Sequence, residues 1–84
     1  MSKTVEFSNR DRFIELGLTI AALRKMKGMS QEQLAARMQV EGVPLNQKAV
    51  SRVETGLRVV SDYELMTFAR VLRVTMERLV EGVR

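Results

Sequence analysis

Helix punctuation dominates this 84-residue chain: short polar residues able to cap a first turn, each followed by apolar residues at steps of three and four, recur too closely for strands to fit between them. Ser8 or Asn9 precedes a segment in which Phe13, Leu16, Ile20 and Leu23 share one helical face, and Gly28 supplies a left-handed residue to end it. Ser30 with Gln33 makes a capping box ahead of Leu34, Ala35 and Met38. Asn46 caps a third helix from Gln47 to Thr55, with Val50 and Val53 turned inward and Gly56 at its end. Ser61 with Glu64 forms another capping box before Leu65, Phe68, Ala69 and Leu72, and Thr75 caps a fifth segment carrying Met76, Leu79 and Val80 up to Gly82. The β-branched run within Arg58 to Val60 is too short to stand as a strand. The pattern predicts an all-α fold, a compact five-helix bundle, with residues 9–84 as one domain and residues 1–8 as a flexible N-terminal segment. The six methionines are read as core and gap-filling residues.

The residue types that are missing narrow the chemistry. With neither cysteine nor histidine, zinc and iron-sulfur ligation, thiol redox and Ser-His or Cys-His nucleophilic mechanisms are out of reach within this chain. The carboxylates Asp11 and Glu15 read as helix-surface charges, and no two acids are placed as an acid and base pair, so no enzyme activity, metal or cofactor is expected. No apolar run approaches the ~20 residues of a membrane span, and MSKTVEFSNRDR lacks the apolar centre of a signal peptide, so a cytoplasmic protein with no membrane partner is expected. A net charge of +4 points weakly toward a polyanion, since phosphate binding is driven by Lys and Arg displacing condensed counterions.

Two short helices joined by a link, the second closed by a glycine, are the outline of a helix-turn-helix. The residues sharpen it. The run GLTIAALRKMKGMSQEQLAARM from Gly17, then NQKAVSRVETGLRVVSDYELMTFARVLRV, resembles the Cro and C1 repressor type of helix-turn-helix, the XRE family, over about Phe13 to Gly82. Arg24 matches the arginine near the end of the first helix. Ser30, Gln31, Leu34 and Ala35 match Ser-Gln-x-x-Leu-Ala; Val50, Ser51, Arg52, Glu54 and Gly56 match Ile-Ser-x-x-Glu-x-Gly; Leu65, Ala69 and Leu72 match the apolar positions of the fourth helix. The resemblance implies a lambda-repressor-like DNA-binding domain whose motif is formed by the second and third helices. One departure stands out: Gln39 to Leu45, with Gly42 and Pro44, lengthens the turn between those helices, as in a subgroup of the family. Val40, Val43 and Leu45 are candidate anchors of that turn to the core.

With Val50 and Val53 inward, the outer face of the third helix holds Gln47, Lys48, Ser51 and Arg52, with Asn46 at the cap, and these are the candidate DNA base contacts. Gln47 suits adenine, and Lys48 and Arg52 suit the O6 and N7 of guanine. By resemblance, Gln31 clamps a phosphate at the start of the second helix and buttresses Gln47. Lys25, Lys27, Arg58 and Arg24 are further candidate phosphate ligands, and the resemblance pairs Arg24 with Glu54 as a structural ion pair. The function implied is a sequence-specific transcriptional regulator, a repressor, bacterial or phage, binding double-stranded operator DNA as a homodimer. Met76, Val80 and Val83 are the candidate dimer surface, and 84 residues leave room for a DNA-reading headpiece and no sensor domain. The alternative is an antitoxin or similar interaction module of the same fold, with a toxin protein as partner.

Overall fold

The computed structural model describes the backbone of residues 3–81 and the side-chain surroundings of residues 11–81, and over this span every regular element is helical. Five helices follow one another: α1 Lys3–Met26, α2 Gln31–Val40, α3 Gln47–Glu54, α4 Asp62–Leu72 and α5 Met76–Glu81. The expected starts of the last four hold, each for the expected reason. Ser30 and Ser61 are N-caps of complete capping boxes with Gln33 and Glu64. The Asn46 side chain accepts from Ala49 N at 2.8 Å, and Thr75 Oγ1 accepts from Arg78 N at 3.0 Å.

The first helix begins at Lys3, upstream of the start expected at Ser8 or Asn9. Residues 3–16 contain neither glycine nor proline, so nothing in that stretch obliges a helix to break. At the other end, α1 stops as expected, with Gly28 at φ +72°. The fourth helix ends differently, on Arg73 in the left-handed region at φ 60°, a conformation L-residues seldom adopt.

Ile20, Leu34, Met38, Val50, Phe68, Leu72 and Leu79 are wholly buried and draw side chains from all five helices into one core. Two expectations about that core need correction. Among the described methionines, Met38 is buried and Met29 packs partly against the core, whereas Met26, Met66 and Met76 are exposed. Val40 does not anchor the long turn; it is 83% exposed at the end of α2, while Val43 and Leu45 are buried. Periodicity marks a residue as apolar but not which helix faces have partners.

The long turn is nonetheless well held. Val43 N donates to Met38 O at 2.9 Å, Leu45 N donates to Val43 O at 2.8 Å across Pro44, and Gln39 Nε2 donates to Leu45 O at 2.9 Å. Gly42, at φ +92°, turns the chain between them. Added length therefore does not loosen the relation of α2 to α3, because buried side chains on both sides of Pro44 fix the path.

Candidate functional site

Helix α3 has one buried edge, Val50, Val53 and Glu54, and one open edge, Gln47, Lys48 and Arg52, with Ser51 half-buried between them. A cation-bearing, amide-bearing surface therefore projects from a helix whose other side is locked into the core. What locks it is partly backbone. A Cβ placed on Gly17 of α1 would lie 2.3 Å from Val53 O and 2.7 Å from Glu54 O, so only glycine allows α3 to seat this closely on α1. Sequence reasoning gave Gly17 no role of its own. Its signal was a glycine inside a helical pattern, which costs ~1 kcal/mol relative to Ala and calls for a packing reason.

The seat brings Glu54 against Arg24, as the resemblance implied. Arg24 Nε donates to Glu54 Oε2 at 2.6 Å and Nη2 donates to Oε1 at 3.1 Å, with the two side chains only 10% and 6% exposed. The third arm of the guanidinium, Nη1, donates to Met29 O at 2.7 Å, tying down the turn between α1 and α2. Arg24 is thus largely enclosed.

From Glu54 the network continues outward. Gln31 Nε2, at the first position of α2, donates to Glu54 Oε1 at 2.9 Å, and Gln47 Nε2, at the first position of α3, donates to Gln31 Oε1 at 2.8 Å. Arg24, Gln31 and Gln47 line a shallow depression with Ser30 and Glu32 where the two helix N-termini meet. The positive ends of those helices favour an anion there, and Glu32 in the first turn of α2 opposes one. The buttress between Gln31 and Gln47 is as expected; the bond from Gln31 to Glu54 was not foreseen, since it spans residues far apart in the chain.

The remaining candidates fall into four groups. Lys25 and Lys27 are exposed at the end of α1, and Lys27 borders a separate groove with Met29, Gln33, Ala36, Arg37 and Val40. Asn46 uses its Oδ1 for capping, which leaves only its amide nitrogen as a donor. Arg58, proposed from sequence to meet phosphate, instead grips Glu64 with two bonds, Nη1 to Oε1 at 2.9 Å and Nη2 to Oε2 at 3.2 Å. Burial alone would raise the Glu64 pKa, but the hydrogen bonds from Arg58 and the Ser61 N–H outweigh it and hold the carboxyl below its usual value. On α5, Met76 and Val80 are exposed beside Glu77 and Glu81, while Val83 lies outside the described residues. Val80 also borders a cleft with Arg12, Phe13, Leu16, Val60 and Leu65.

The sequence profile of a family described as Helix-turn-helix matches residues 20–79. Among solved structures, the restriction-modification controller protein C.AhdI from Aeromonas hydrophila is 31% identical, covering 80% of this chain and 94% of that one, with a TM-score of 0.71. The DNA-binding domain of BldD is 22% identical and covers 86% of this chain and 97% of that one, with a TM-score of 0.72, a likeness of fold. No curated protein sequence matches significantly.

Proposed function

This chain belongs to the XRE-type helix-turn-helix family of DNA-binding transcriptional regulators, and from that premise we propose that it acts as a sequence-specific repressor, reading operator DNA in the major groove with α3. The observation that carries the reading is the pairing of an open α3 edge, Gln47, Lys48 and Arg52, with a depression between two helix N-termini immediately beside it. The first offers donors and acceptors to base edges, and the second receives a backbone phosphate. Gln31 spans both. Lys25 and Lys27 extend the cationic surface at the end of α1 and supply further phosphate contacts, and Ser51 and the Asn46 amide sit at the margins of the reading edge. Arg58 is left out of the phosphate set, because its guanidinium is committed to Glu64.

Two copies are proposed to bind together, with the exposed Met76 and Val80 of α5 meeting across a twofold axis, so that two α3 helices enter successive turns of a palindromic operator. A bacterial or phage regulatory setting fits the likeness to a controller protein.

The test is Arg52→Ala, assayed at fixed salt against the best site selected from random DNA and against bulk random DNA. Loss of a base contact lowers the ratio of the two affinities by roughly 5-fold to 100-fold, with the melting temperature unchanged. A ratio equal to that of the unaltered protein assigns the reading edge elsewhere.

A further inference from the structure

We infer that Glu54 is a specificity-determining residue that never touches DNA: through Gln31 it dictates which way round the Gln47 amide is presented, and hence which base that amide prefers. The inference rests on the reading of Gln47 as a base contact and goes beyond it to ask what sets its polarity.

The argument is one of donors and acceptors. A carboxylate can only accept, and both oxygens of Glu54 already accept bonds from Arg24. Gln31 must therefore face Glu54 with its NH2 group, which it does at 2.9 Å. Having turned its nitrogen inward, Gln31 shows its carbonyl oxygen to α3, and Gln47 must answer with a nitrogen, as it does at 2.8 Å. Each amide is thereby oriented by the one before it. What Gln47 has left for the groove is its Oε1 and one N–H. That pair, an acceptor beside a donor, is the complement of the N6 amino group and N7 of adenine. The outer amide is exposed and would otherwise rotate freely between its two faces.

Reversing the first member should reverse the rest. In Glu54→Gln only one oxygen remains; Arg24 Nε, the donor with the shorter contact, keeps it, Arg24 Nη2 loses its acceptor, and the new NH2 occupies the corner that faced both Nη2 and Gln31. Gln31 flips to present its oxygen to that NH2 and its nitrogen to Gln47. Gln47 in turn gives its oxygen to Gln31 and leaves two N–H groups outward, the complement of guanine O6 and N7.

The experiment selects bound sequences from a random duplex pool with the full chain and with Gln47→Ala, Gln31→Met and Glu54→Gln, recording thermal melts alongside. The unaltered protein is expected to show one adenine position per half-site that Gln47→Ala erases. Gln31→Met, which cuts the relay at a partly exposed residue, keeps the fold and lowers the adenine preference there by about tenfold while sparing other positions. Glu54→Gln moves the preference at that position to guanine. Adenine preference retained in both Gln31→Met and a folded Glu54→Gln, but lost in Gln47→Ala, overturns the relay and leaves the reading edge intact. A profile unchanged in Gln47→Ala refutes the base contact itself and the relay with it. If Glu54→Gln does not fold, Gln31→Met alone decides.

Discussion

Glu54 accepts three hydrogen bonds, two from Arg24 and one from Gln31, in a place where water barely reaches. A buried ion pair is weak evidence for net stability, but removing one partner strands the other charge. Glu54→Ala is expected to lose about 3 kcal/mol of unfolding free energy in denaturant titrations and to bind DNA more weakly as Arg24 and Gln31 lose their anchor. A melting temperature equal to that of the unaltered chain would remove the pair from any structural role. Glu64 makes a second, pH-dependent prediction. Its folded pKa lies below the ordinary value of 4.5, so the stability it contributes is present above that value and is lost as the pH falls through the folded pKa. The melting-temperature gap between the chain and Glu64→Gln should thus be widest near neutral pH and close in the acid range below 4.5; a gap independent of pH contradicts this. At this scale the sequence was legible where partners are three residues apart, as in the Ser30 with Gln33 and Ser61 with Glu64 boxes. Arg24 with Glu54 was legible through resemblance. Gln31 to Glu54 and Arg58 to Glu64 were not, since nothing local announces which distant or loop-borne charge a side chain will meet.

Between elements, the decisive contact is the seat of α3 on Gly17. Gly17→Ala adds a methyl group to a space already filled by the Val53 and Glu54 carbonyls, and neither is the free end of a flexible side chain. The gain in helix propensity, ~1 kcal/mol, is outweighed by backbone displacement, and a net loss of about 1–3 kcal/mol is expected. DNA affinity should fall with it, because the shift carries Gln47 and Arg52 away from the α2 N-terminus; a more stable Gly17→Ala would place the two helices farther apart than described. Helix order, caps and four of the five starts could be read in advance, since a cap and an apolar period are local signals. Burial could not: Met26, Met66, Met76 and Val40 carry the same apolar signal as Met38 and Val43, and only packing distinguishes them.

For the molecule as a whole, the proposed pairing of two copies on one operator rests on α5, the shortest of the described helices. Val80→Glu places a charge among residues already flanked by Glu77 and Glu81 and should yield monomers by sedimentation, with operator affinity reduced by tenfold or more and the base preference of each half-site kept. A dimer that persists in this variant moves the twofold contact to another surface. The close seat on Gly17 also has a meaning for how the chain comes into being. Helix α1 leaves the ribosome before α3 does, so the stretch that receives α3 is already outside when Val53 and Glu54 emerge. A fragment of residues 31–54 alone would lack that surface and the guanidinium that neutralises Glu54, and it is not expected to be an autonomous folding unit. Transplanting the reading helix into another scaffold therefore requires carrying its upstream glycine and arginine as well.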